Sequence, residues 1–276
     1  GPNISSFENK ITKKVNAKYA TVVNSATSAL HIACMALGVS NKDIVWTTSN
    51  SFVSSINCAL FCGAKIDLVD INLENYNIDT DELTKKLKIA KKEKKLPKVV
   101  IVVHIAGHPC DLKSIYKLSK IYKFKIIEDA SHALGSVYLG SKIGSCRYSD
   151  ITVFSFHPVK IITTGEGGAA ITNDKKIHIR LQSFRSHGIL FNLKKKNKEK
   201  KVRPWMFYQV DLGYNYRLTD IGAALGLSQI KKLNFFLKKR NKIAKIYNQK
   251  LKNFPLKLPK VKPKCLSSFH LYIVSQ

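Results

Sequence analysis

Residues 98–105 read KVVIVVHI, a run with apolar side chains in both phases of a two-residue repeat. A strand with one wet face alternates apolar and polar. A strand apolar on both faces must be covered on both, as in the parallel sheet of an α/β protein. Two similar runs follow, FKIIEDA at 124–130 and ITVFSF at 151–156. Shorter ones precede them: ATVVN at 20–24, DIVWTT at 43–48 and KIDLVDI at 65–71. Helical patterns separate the runs: ATSALHIACMALG, FVSSINCALFCG, DTDELTKKLKIAKKEKK with its Asp cap, and DLKSIYKLSKIY. This alternation predicts an α/β fold with a mainly parallel sheet flanked by helices, whose sites lie beyond the carboxyl ends of the strands.

The second half is less regular. GAAIT at 168–172 reads as a strand and KKIHIRLQSFRSHG as a helix. Residues 191–210 read as a mobile basic loop, with a lysine-rich stretch at 194–201. LTDIGAALGLSQIKKL is an amphipathic helix, followed by a long basic helix to about Phe254, a linker at 255–264, and SSFHLYIVSQ as the first strand of a further unit. Residues 1–240 are therefore expected to form a large α/β domain. Residues 241–276 would be a connecting helix and the beginning of a small C-terminal domain, in a chain that reads as cut at both ends.

Net charge is +29 over 276 residues, which invites a nucleic-acid reading. The basic residues are 41 lysines and only six arginines, whereas base and phosphate readers favour the arginine fork. Lysine travels here with isoleucine and asparagine, the residues of AT-rich codons, so the charge runs are read as solvated faces whose field would attract a phosphate-bearing substrate. The six cysteines form no C-x-x-C pair, which fits a reduced cytoplasmic protein without a disulfide framework or metal site. No apolar run reaches the length of about 18 residues that a membrane span needs.

Three segments carry chemistry. IIEDASHALG brings Glu128 and Asp129 to a strand end, with His132 three residues on. SFHPVKIITTGEGG sets Lys160 between apolar residues and a glycine turn, surroundings that desolvate an amine and lower its pKa, as a Schiff-base lysine requires. NSATSALH runs from a strand through small hydroxyl residues into a helix, whose unsatisfied first-turn N–H groups suit a phosphate; a plain N-cap by Ser25 or Thr27 is the competing account. Together these are the parts of a pyridoxal 5′-phosphate (PLP) site: an imine-forming lysine, a carboxylate for the ring nitrogen and a helix terminus for the phosphate.

These segments, with FRSHG and GYNYRLTDIGAALGLSQ, resemble in kind and order the motifs of the DegT/DnrJ/EryC1/StrS sugar aminotransferases, fold type I PLP enzymes with a mainly parallel seven-stranded sheet. The resemblance runs from Gly1 to Gln276. It implies that Lys160 binds the cofactor aldehyde and shuttles the proton, that Asp129 meets the ring nitrogen and that His132 lies beside the ring. Phe52 would stack on the ring, although ordinary core packing also fits it. Ala26, Thr27 and Ser155 would hold the phosphate. Asn215 would reach the phosphate of a neighbouring subunit, making the site shared in a homodimer. His157 would face substrate, with core packing the alternative. Relatives that carry histidine in place of the lysine dehydrate their substrate, so Lys160 favours amino transfer.

Within the group, SHALGS, SFHPVKIITTGEGG and FRSHGIL look closest to the branch that aminates C4 of a UDP-linked 4-keto-6-deoxy-N-acetylhexosamine for pseudaminic acid, with L-glutamate as donor. Other readings are amination of a different UDP- or dTDP-4-keto sugar, a cofactor-binding regulator without turnover, and a basic nucleic-acid-binding protein on an enzyme fold. The main reading expects no nucleic-acid partner and no membrane association.

Overall fold

The computed structural model of the protein describes residues 1–190 and 207–276. Its helices are α1 (Pro2–Val15), α2 (Ala26–Ala36), α3 (Ser54–Leu60), α4 (Thr80–Lys92), α5 (Leu112–Tyr122), α6 (Lys175–Arg185) and α7 (Asp220–Lys250). Its strands are β1 (Tyr19–Val23), β2 (Ile44–Thr48), β3 (Lys65–Val69), β4 (Val99–Val103), β5 (Lys125–Asp129), β6 (Val137–Tyr138), β7 (Ser141–Lys142), β8 (Ile151–Ser155), β9 (Gly168–Thr172), β10 (Ile189–Leu190), β11 (Tyr208–Gln209) and β12 (Cys265–Leu266).

Seven strands form one sheet in the order β1-β9-β8-β5-β4-β2-β3. Strands β8, β5, β4, β2 and β3 run parallel, and β9 is antiparallel to both β8 and β1. Six strands thus share one direction, and only β9 opposes it. This is the mainly parallel seven-stranded sheet expected of fold type I.

The doubly apolar runs behave as their pattern requires. All five residues of β4 are buried. Val100 and Val102 enter one core with Phe7, Leu83, Leu87, Ile115 and Ile230. Val99 and Ile101 enter the other with Leu30, Ile32, Cys58 and Leu181. Helices α1, α4, α5 and α7 therefore cover one face of the sheet, and α2, α3 and α6 cover the other. Asp79 caps α4 by accepting from the N–H groups of Asp81 and Glu82, and acidic first-turn and basic last-turn residues complement that helix's dipole.

Two expectations are corrected. The amphipathic and basic helices near the end are one 31-residue helix, α7, because no glycine or proline interrupts the chain between Gly226 and Lys250. The boundary drawn at residue 240 therefore falls inside a helix. SSFHLYIVSQ is not a strand. Its backbone groups are engaged elsewhere: His270 N–H donates to the Ala106 carbonyl (2.8 Å), and the Phe269 and His270 carbonyls accept from Arg240 on α7 (3.2 Å each). Of the loop expected at 191–210, residues 191–206 lie outside the described residues, and Tyr208–Gln209 pairs with Ile189–Leu190 as a short ribbon. Among the described residues no helix is long and apolar enough to cross a membrane.

Candidate active site

The carboxyl ends of β1, β2, β4, β5 and β8 open onto one cavity of about 290 Å³, lined among others by Ala26, Thr27, Phe52, Asp129, His132 and Lys160. Because β9 runs the other way, its first residue, Gly168, lies at the same edge, paired with Val23 and Ser155. Ser155, His157 and Glu166 also line this space. The structure thus brings together every sequence-predicted site residue except Asn215, which is exposed and sits where its backbone bridges Ser186.

Asp129 ends β5 and is buried. One carboxylate oxygen accepts from the Ser131 N–H (3.1 Å) and hydroxyl (2.6 Å), and the other accepts from the Ser55 hydroxyl (2.7 Å). Ser55 in turn accepts from Ser51 (2.8 Å). A carboxylate offers roughly four lone-pair positions. Three are engaged here, and the remaining one can serve a donor in the cavity. Strand alternation sends the neighbouring Glu128 to the opposite face. There it accepts from Ser149 and Thr152 and bonds the buried His104 (2.8 Å). The Cys110 N–H donates to Nδ1 of His104, which makes that ring the Nε2–H tautomer with its hydrogen on Glu128.

Lys160 lies on the connection from β8 to β9. Its N–H closes a turn onto the His157 carbonyl (2.9 Å), and the buried Ile161 and Ile162 anchor the chain just beyond it. The Phe156 N–H bonds to Gly167 O, and the Thr164 N–H to Phe156 O, so the connection is stitched at both ends. Burial lowers the Lys160 pKa, and the Asp129 carboxylate opposes part of that shift. A lysine so placed has a larger unprotonated fraction at neutral pH than a surface lysine.

At the start of α2, the Ser25 hydroxyl accepts from the Ser28 N–H (3.0 Å), and the Ser25 carbonyl accepts from Ala29 (3.1 Å). The N-cap reading is therefore realised. It leaves the first two N–H groups, of Ala26 and Thr27, without acceptors within the helix and beside the cavity. Thr27 Oγ1 also bonds Ser54 (2.6 Å), which ties α2 to α3. A Cβ on Gly168 would come within 2.6 Å of the Ser25 and Ala26 backbone, so glycine lets the helix terminus approach the sheet this closely.

His132 lines the cavity, and its Nδ1 is buried with no partner among the described residues. Burial, with a smaller effect of Lys160, takes its pKa down to about 4. Phe52 is 73% exposed, so it is not core. His157 is exposed too, with Nδ1 accepting from the Val159 N–H and Nε2 3.7 Å from Glu166. A desolvated lysine, a carboxylate with a free lone pair and a helix terminus with free donors, all in one cleft, fit PLP. Among the described residues no three His, Cys, Asp or Glu side chains cluster as metal ligands would.

Sequence reasoning missed four residues here. Ser55 and Ser131 hold Asp129, Glu166 lines the cavity, and His270 packs against His132 with tilted rings, centroids 4.3 Å apart. Ser131, two residues from Asp129, was within reach as an Asx-type turn. Glu166 sits in the same glycine turn that follows Lys160, whereas Ser55 and His270 depend on contacts between distant segments.

Comparison with known proteins follows the same line. The model of the DegT/DnrJ/EryC1/StrS aminotransferase family matches residues 1–276. A UDP-4-amino-4,6-dideoxy-N-acetyl-beta-L-altrosamine transaminase of Campylobacter jejuni subsp. jejuni serotype O:23/36 (strain 81-176) is 41% identical over 273 residues, covering 99% of this chain and 68% of that protein. Among solved structures, Helicobacter pylori PseC, an aminotransferase involved in pseudaminic acid biosynthesis, superposes with a TM-score of 0.87 at 34% identity, over 99% of this chain and 70% of that one. Spr1654 from Streptococcus pneumoniae, solved in its PLP form, gives a TM-score of 0.84 at 27% identity, over 99% and 70% of the two chains.

Proposed function

The chain belongs to the DegT/DnrJ/EryC1/StrS aminotransferase family, and from that premise we propose that it transfers an amino group from L-glutamate to C4 of a UDP-linked 4-keto-6-deoxy-N-acetylhexosamine, with PLP as cofactor, in the route to pseudaminic acid. The observation that carries the proposal is the convergence of Lys160, Asp129 and the α2 terminus on one cavity. The names of the similar C. jejuni and H. pylori proteins support the choice of sugar.

Bound PLP supplies an electron sink conjugated with the reacting carbon. Asp129, oriented by Ser55 and Ser131, would hold the ring nitrogen in its protonated form. The N–H groups of Ala26 and Thr27 and the Ser155 hydroxyl would hold the phosphate, Phe52 would cover the ring, and His132 would sit beside it. Lys160 would bind the aldehyde covalently. Released from that bond, its amine would take the α-proton of glutamate and would later deliver a proton to C4 of the sugar. Glutamate would leave as 2-oxoglutarate, taking its oxygen from water, and the C4 ketone would leave as an amine, releasing its oxygen as water, so the two substrates would react in turn. His157 would meet the sugar.

The working unit in this proposal is a homodimer in the cytoplasm. Exposed Phe52, Val53, Leu60 and Phe61 around α3 form an apolar face. Phe61 and Tyr214 both pack on His31, so Asn215 borders that face and could reach a second copy's site. The six free cysteines suit a reducing compartment.

A visible spectrum of the PLP-loaded protein tests the reading. The band of lysine-linked cofactor should shift on adding L-glutamate and be missing in Lys160→Ala. With the UDP-keto sugar, mass spectrometry should find the 4-amino product. No spectral response to glutamate would refute amino transfer, and turnover of dTDP-keto sugars alone would move the assignment to that class.

A further inference from the structure

A histidine in a site is ordinarily aimed by the hydrogen bond that its second nitrogen makes. His132 is not: among the described residues its buried Nδ1 has no partner. What meets the ring is His270, from the segment after β12, with centroids 4.3 Å apart and planes inclined by 33°. Nδ1 of His270 is likewise buried without a partner, so neither ring is pinned by a bond at that nitrogen.

The segment bearing His270 is fastened from several sides. Ser268 Oγ donates to the His132 carbonyl (2.6 Å), and the Ser268 N–H donates to Ser136 (3.0 Å). Ser267 Oγ donates to the Gly107 carbonyl (3.1 Å). From α7, Asn241 donates to the Ser267 carbonyl (3.1 Å), and Arg240 donates to the carbonyls of Phe269 and His270. Gly107 has φ +90, and a Cβ there would meet the Ser268 hydroxyl, so the close approach requires glycine. His270 is thus held by its backbone while its ring is free to serve as a wall.

We propose that His270 is a positioning residue, whose ring holds the His132 imidazole in place and shields it from water, so that His132 meets the bound cofactor with a neutral ring. The inference rests on the cofactor reading for its consequence at the ring. The charged and titratable groups around the pair are Lys160 on the β8–β9 connection, Arg240 on α7, and Asp129, which acts on Lys160. Lys160 and Arg240 are cationic and oppose an imidazolium, while the Asp129 carboxylate is hydrogen-bonded to Ser55 and Ser131 and makes no bond to either ring. Burial is the first cause of the low pKa of both rings, about 4 for His132 and about 3 for His270.

The test is an NMR pH titration of the His132 ring in histidine-labelled protein, its resonance identified by its loss in His132→Gln, together with equilibrium binding of PLP. His270→Ala and His270→Gln remove the wall, and His270→Phe keeps a flat ring. Folding of each variant is checked by circular dichroism. Water reaching His132 in His270→Ala and His270→Gln should raise its midpoint by about one unit or more toward the ordinary value and weaken PLP binding about tenfold. His270→Phe should keep the wild-type midpoint and affinity. A wild-type midpoint in a folded His270→Ala or His270→Gln protein would overturn the proposal, as would a His270→Phe protein that behaves like the alanine variant. If wild-type protein failed to bind PLP, the cofactor reading would fall, while the titration would still decide whether His270 positions His132.

Discussion

Asp129 shows how a single carboxylate is aimed. Its three internal hydrogen bonds come from two serines on different segments, Ser131 beside it and Ser55 across the sheet edge on α3. A hydrogen bond to a charged group is worth roughly 1.5–3 kcal/mol, and tenfold in affinity is about 1.4 kcal/mol. Ser55→Ala should therefore weaken PLP binding about tenfold or more and lower the rate of the glutamate half-reaction. Ser51→Ala, one bond further out, should have a smaller effect. Absorbance titrations with PLP and stopped-flow measurements with L-glutamate would check this order, and equal effects at the two positions would contradict it. At this scale the sequence disclosed the groups whose chemistry is written in their neighbours: an acid closing an apolar strand, and a lysine bounded by apolar residues. It could not disclose Ser55, whose role depends on α3, packed on α2, β2 and β3, bringing its hydroxyl to Asp129 at the end of β5.

At the scale of elements, one reversed strand shapes the site. Because β9 opposes its neighbours, its start, Gly168, lies under the α2 terminus, where a Cβ would come within 2.6 Å of the Ser25 and Ala26 backbone. Gly168→Ala should displace that terminus, cost about 1–3 kcal/mol as overpacking does, and weaken PLP binding. Gly226→Ala is the matched control: its Cβ would strike Phe7 between α1 and α7, on the face of the sheet opposite α2. Both variants should melt earlier, and only the first should lose affinity for PLP. The parallel strands were legible because burial on both faces leaves no polar phase in the sequence. The final segment was misread for a related reason. LYIV has a strand's composition, yet the chain before it is bound to Ala106, Gly107 and Arg240, so no ladder can form. That outcome depends on the Ala106–Gly107 loop, more than a hundred residues away, and on the packing of α7, which no local pattern records.

For the whole molecule, protonation links the site to stability. Burial is the first cause of the low pKa of His108, His132 and His178, each about 4, and of His270, about 3. Unfolded, these rings would take protons near 6.5. Between pH 6.5 and 4 the unfolded chain therefore binds more protons than the native one, and stability falls as pH falls through that window. Above about pH 7 these histidines add no slope. A single fully shielded histidine has a limiting slope of about 1.4 kcal/mol per pH unit, and partial exposure of His178 and His270 reduces their share. The net charge of +29 adds self-repulsion, which grows as carboxylates protonate at still lower pH. Salt separates the two effects, because it screens exposed charges but leaves buried rings almost untouched. Calorimetry should find a melting temperature about 10 °C lower at pH 5 than at pH 7.5, on the usual scaling of a few degrees per kcal/mol. Half-molar sodium chloride (~0.5 M, a Debye length near 4 Å) should raise both values and leave most of their difference in place. If that salt abolished the difference, surface repulsion rather than the buried histidines would be the source of the acid sensitivity.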